Sequence, residues 1–172
     1  MGAWAESRTV LASLPLPVAI VAAAAGEERS CSTGTVSYVS YEPPLLAVPL
    51  SARGRTARLA RESGELSVSL LGDGQAELAV RAARSSSGDK FAEQEIPVLD
   101  PPEGAVAPAV AGSASVYWCR VVGEHPHGRG LLLVAEVERH ARGEGRPLLR
   151  FEHSYCSLGS AVEVAEEADY PL

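Results

Sequence analysis

Residues 30–56 read SCSTGTVSYVSYEPPLLAVPLSARGRT, and the character of the chain changes three times within them. Ser30 to Tyr41 is hydroxyl-rich with β-branched and aromatic residues, which favours extended structure with little apolar surface to bury. Glu42-Pro43-Pro44 interrupts it. Leu45 to Leu50 then reads as a short buried strand, with Pro49 marking an edge or bulge because it lacks a ladder donor. From Ser51 to Thr56 a helix opens, with Thr56, Leu59, Ala60 and Ser63 at the spacing of one helical face and Gly64 as its stop. Upstream lies LPLPVAIVAAAA, residues 14–25. Glu6 cancels Arg8 ahead of it and two prolines interrupt it, so it reads as a buried strand, Val18 to Ala24, and not as a leader. It is too short to span a bilayer. Gly26 to Arg29 is a tight hairpin turn.

Working outward, Glu65 to Leu71 alternates as a half-buried strand does. Asp73 is positioned to cap a helix over 74–84 with Leu78, Ala79 and Ala82 inward. The Ser-Ser-Ser-Gly at 85–88 ends that helix. Residues 97–113 hold four prolines and two glycines and predict a long ordered loop or lid. Three strands follow, 114–122, 130–139 and 147–152, as a meander whose last hairpin is marked by Gly143, Gly145 and Pro147. Residues 2–13 predict a short helix with Trp4, Val10 and Leu11 inward, and 163–169 an acidic solvated tail. The expected class is mainly β: an antiparallel barrel or sandwich with two inserted helices. The expected boundaries are an extension at 1–14, one domain at 15–160 and a tail at 161–172.

At 172 residues the chain is long enough to bury a real core. Its net charge of −7 argues against general binding to nucleic acid or anionic membrane, surfaces that recruit Lys and Arg. Cys31, Cys119 and Cys156 are widely spaced and odd in number. No metal-ligand spacing or disulfide framework follows from them, and a reducing, cytoplasmic compartment fits best.

Against that acidic background, residues 51–61 carry four arginines and no acid at a strand-to-helix junction until Glu62. Unpaired N–H groups at a helix start attract anions. Ser51 and Thr56 add hydroxyls, and Arg53 and Arg55 add bidentate donors suited to phosphate. Two readings stand: a phosphate site, or a solvated basic helix face. Arg58 and Arg61 read as surface residues. The Ser/Thr stretch likewise reads either as an exposed edge strand or as a strand presenting hydrogen bonds to a planar polar ring.

The order of PVAIVAAAA, STGTVSYVSYEPPLLAV, SARGRT, ELSVSLL, Asp89-Lys90-Phe91, VYWCRVV, LLLVAEV and PLLRF resembles the flavin reductase-like family, the FMN-binding split barrel. The resemblance covers about residues 15–158. It implies a split antiparallel barrel that forms a homodimer, with FMN or FAD at the subunit interface and NAD(P)H as co-substrate. A flavin-dependent monooxygenase is the implied partner. Ser32, Thr33, Gly34 and Thr35 would hold the ring edge, and Ser51, Arg53, Arg55 and Thr56 the phosphate. Members commonly have two serines where Arg53-Gly54 stands here. Lys90 and Phe91 match a motif near the flavin; ordinary packing and a surface charge are their alternative. NADH-using members often carry Gly-Asp-His ahead of the LLLVAEV-like strand, with the histidine near the nicotinamide. Gly128-Arg129-Gly130 stands there instead, leaving His125 and His127, expected in the same loop, as substitute catalytic candidates. Three functions remain open: a flavin reductase, a flavin enzyme with another substrate, and a flavin-binding protein without turnover.

Overall fold

A computed structural model describes residues 9–160. Trp4 and the acidic tail lie outside the described residues. Twelve strands run β1 (Leu16–Pro17), β2 (Ala19–Ala25), β3 (Glu28–Gly34), β4 (Ser37–Tyr41), β5 (Pro44–Ser51), β6 (Glu65–Leu70), β7 (Val98–Leu99), β8 (Ala109–Val110), β9 (Ser115–His127), β10 (Gly130–Arg142), β11 (Leu148–Phe151) and β12 (Ser154–Ser157). Helices α1 (Arg55–Ser63), α2 (Ala76–Ala82) and α3 (Lys90–Glu93) lie between them. Seven strands form one antiparallel sheet in the order β3-β2-β6-β9-β10-β5-β4. Its ladder does not close: β3 and β4 are its edges.

The sheet nevertheless curls. Side chains from β2 and β5, which have three strands between them in the order, meet in one core with Leu59 of α1, Leu66, Val68, Leu131 and Leu133. Register shifts in the β9–β10 ladder, at Val134/Ala135 and Val137/Arg139, supply the bends that bulges give. The alanine-rich β2 is buried on both faces. Val21 and Ala23 face the α1 core, whereas Ile20 and Ala22 face a second core with Leu78, Ala79, Ala82 and Phe91. Small side chains let helices sit close on either side, and the period of two sorts β2 between the cores. Gly64 ends α1 at φ 76°, its N–H donating to Ala60 C=O, a left-handed cap that glycine adopts without strain.

Several elements depart from the sequence expectation. Strand β6 is buried on both faces, because Ser67 and Ser69 hide their hydroxyls against Pro108 C=O and Val110 N–H, at 2.6 and 3.0 Å. Asp73 does not cap α2. It opens a short 3-10 turn, and Gln75 Oε1 accepts from Gly72 N–H instead. The 97–113 segment is ordered and contains β7 paired with β8. It is tied down over β6 and β9, with Trp118 Nε1–H donating to Ala107 C=O at 3.1 Å. The expected terminal meander is incomplete. β11 leaves β10 and joins β1 and β12 in a separate three-stranded sheet, and β12 had no counterpart in the sequence reading. Residues 9–12 are helical, but Val10 and Leu11 are exposed rather than inward. Pro49 sits where β4 no longer covers β5, since their pairing ends at Ala47.

Candidate functional site

Alternation along β3 aims Ser30 and Ser32 toward α1, and Cys31 and Thr33 toward α2 and α3. Thr56, buried on the first turn of α1, joins the two serines: Ser32 Oγ lies 3.0 Å and Ser30 Oγ 3.4 Å from Thr56 Oγ1. On the opposite face, Thr33 Oγ1–H donates to Ala79 C=O at 2.7 Å. The outer edge of β3 is unpaired in the ladder, and Lys90 Nζ takes Cys31 C=O there at 3.0 Å.

This edge, the end of β5 and the start of α1 enclose a cavity of about 440 Å³. Its wall includes Ser32, Thr33, Ser51, Arg55, Thr56 and Lys90. Six of the residues expected to bind cofactor are therefore brought together. Ser30, Cys31, Leu50, Ser85 and Ser86, none of them an expected site residue, also line it. The Ser85–Ser87 run carries a signal in the sequence, hydroxyls beside Asp89-Lys90-Phe91, besides its role as a helix stop.

The start of α1 is open to an anion. Gly54 occupies the N-cap with no side-chain bond, and no acid lies in the first turn. Arg55 is more constrained than its sequence position implied. Its guanidinium donates to the carbonyls of Ser87 at 2.9 Å, Ser86 at 3.4 Å and Gly88, so it holds the serine loop against the cavity. Arg58 pairs with Glu28 and Glu62, and Arg61 with Glu124, consistent with surface roles. Burial lowers the Lys90 ammonium pKa, and the nearby Arg55 charge acts in the same direction. Burial also pushes the Cys31 thiol up to about 12, so it lines the wall as a neutral group.

The remaining expected residues lie elsewhere. Phe91 is buried in the second core beneath the Arg29 guanidinium, 5.2 Å from its ring centre; its position is a packing one. Asp89 caps α3 through Phe91 N–H at 3.0 Å and pairs with Arg29. Gly34 and Thr35 follow the cavity-lining part of β3. Among the described residues, Thr35 Oγ1 is a buried hydroxyl without a partner. Arg53 lies across Ser51 in an adjoining cavity. His125 and His127 are not in a loop: β9 extends through both, opposite Leu132 and Gly130. Both are exposed and line neither cavity. His125 Nε2 folds back along its strand, 3.5 Å from where a Cβ on Gly123 would sit.

An uncapped helix start, a hydroxyl chain, a cationic wall and a free strand edge fit a phosphorylated planar ring, and a flavin satisfies that description. The flavin reductase like domain matches residues 11–159, and the chain belongs to that family. It is 30% identical over 164 residues to the actinorhodin polyketide dimerase of Streptomyces coelicolor, covering 94% of this chain and 90% of that protein. To the reductase component of 4-hydroxyphenylacetate 3-monooxygenase from Thermus thermophilus it is 32% identical, covering 88% and 94%. The NADH:FAD oxidoreductase of Streptomyces globisporus C-1027, solved with NAD and FAD fragments, shares the fold at a TM-score of 0.84 and 20% identity, covering 94% and 96%.

Proposed function

We infer that this chain is a flavin-dependent oxidoreductase of the NAD(P)H:flavin reductase type, binding FMN or FAD in the β3–α1 cavity. The carrying observation is the convergence of Ser32, Thr33, Ser51, Arg55, Thr56 and Lys90 on one cavity at an uncapped helix start. A bound flavin supplies the hydride-accepting ring. The N–H groups of the first turn of α1, with Ser51 and Thr56, hold its phosphate. Lys90 and the β3 edge at Ser32 and Thr33 hold the ring edge and stabilise negative charge on it. Arg55 keeps the 86–88 loop closed against the site. No residue of the cavity is required to move a proton, because alignment of two rings is the main demand.

In its finer form the protein is a homodimer of split-barrel subunits in the cytoplasm, delivering reduced flavin to a monooxygenase. Edge strand β4 supports self-association, with Val39 exposed and Tyr38 stacked on Tyr41 at 5.0 Å. Free thiols at Cys31, Cys119 and Cys156 suit a reducing compartment. Among the described residues no helix is long and apolar enough to cross a membrane. A related protein named as a monooxygenase reductase component supports the partner. A second reading, flavin chemistry on a different substrate, draws on Arg129 in place of an acid and on the relative named as a polyketide dimerase.

The test is a visible spectrum of the purified protein with added FMN and FAD, followed by anaerobic NADH or NADPH. Flavin binding and bleaching of its visible band are expected. Binding without bleaching favours the second reading, and absence of flavin binding refutes both.

A further inference from the structure

Beside the candidate flavin cavity lies a second one of about 330 Å³, walled by Ser51, Ala52, Arg53, Gly128 and Arg129. Ser51 belongs to both walls, so the cavities adjoin at the residue placed against the flavin phosphate. Two distant segments build the second cavity. Ala52 N–H donates to Arg129 C=O at 3.1 Å, fastening the β9–β10 turn to the β5–α1 loop. Gly128 turns that hairpin at φ 58°, which leaves Arg129 at its tip.

No carboxylate lines this wall, in a chain of net charge −7. Arg55, Arg58 and Arg61 are committed to carbonyls or acids. Among the described residues, the guanidinium groups of Arg53 and Arg129 have neither a hydrogen-bond nor an ion-pair partner. Two unspent guanidinium groups in one acid-free cavity make a receptor for a phosphate oxyanion. The adjoining cavity already accounts for one phosphate. Resting on the flavin reading, we propose that Arg53 and Arg129 receive a second phosphate joined to the first, so that the site selects the diphosphate of FAD over the monophosphate of FMN.

The pair is exposed, so solvent screens it and its effect is moderate. Equilibrium titration by flavin fluorescence measures FMN, FAD and NADPH affinity in the wild type, Arg53→Gln, Arg129→Gln and the double variant. Wild type should bind FAD more tightly than FMN. Each single variant should lower the FAD-to-FMN affinity ratio by about 3- to 10-fold, and Arg129→Gln should leave FMN affinity unchanged, which also reports an intact fold. Equal wild-type affinities, or a ratio that survives the double variant, overturn the proposal while leaving the flavin reading in place. A loss confined to NADPH overturns it by assigning the pair to a reductant's phosphate. If neither flavin binds the wild type, the flavin reading fails and this proposal with it.

Discussion

Arg55→Ala and Arg55→Lys separate two roles that one guanidinium can play. A phosphate-binding role depends chiefly on charge, which Lys keeps. A loop-clamping role depends on the planar fork that reaches three successive carbonyls, Ser86, Ser87 and Gly88, and Lys cannot reproduce it. The side chain is 29% exposed, so each good bond is worth about 1 kcal/mol net, not the value of a dry charge-assisted bond. Two good bonds and one long one amount to about 2 kcal/mol. For a chain of this size that is a fall in Tm of about 4–8 °C. The Glu28 carboxylate, 3.8 Å from Arg55 Nε and half-exposed, adds little. Both variants should therefore lose similar stability in thermal or urea unfolding, and amide exchange should accelerate at residues 86–88. Flavin affinity should fall by about tenfold in Arg55→Ala, with only partial recovery in Arg55→Lys. Full rescue of stability, exchange and affinity by Lys would refute the clamp, as would unchanged exchange at 86–88 in Arg55→Ala.

Three further outcomes follow from the same geometry. Thr35→Val removes the buried unpartnered hydroxyl and should stabilise the flavin-free protein by about 1 kcal/mol in urea unfolding; a destabilised variant would mean that the hydroxyl has a partner. The His125→Ala/His127→Ala variant should retain flavin affinity, because neither side chain lines a cavity. Its stopped-flow reduction rate should stay within about twofold, and a larger loss would give the strand β9 histidines a catalytic role. Burial pushes the Cys31 and Cys119 thiols from 9.0 up to about 12. Between those pH values the native protein keeps protons that the unfolded chain releases, so stability falls as pH rises, by about 1.4 kcal/mol per unit for each thiol. A urea midpoint that stays level above pH 9.0 would show that the thiols ionise in the fold.

The local elements around the phosphate end were legible because their determinants are local. Pro43-Pro44, the apolar Leu45–Leu50 run, the Thr56/Leu59/Ala60 face and Gly64 each specify a backbone state within a few residues. What escaped reading was set by partners far along the chain. β9 extends beyond its expected end because β10 completes its ladder as far as the His127–Gly130 pair; the polar sequence there carries no apolar alternation to announce it. That extension moves His125 and His127 from a loop onto a strand and carries Arg129 to Ala52. Arg55 looked like a free phosphate ligand because sequence does not reveal that Ser86–Gly88 will present three carbonyls to it. Thus the same basic loop divides its labour by tertiary contact. Arg55 is spent on shaping the first cavity, Arg58 and Arg61 on surface pairs, and Arg53 is left for the second cavity beside Arg129. Arg53 and Arg129, distant in sequence, meet at one cavity with the same charge, as a shared anionic ligand would require.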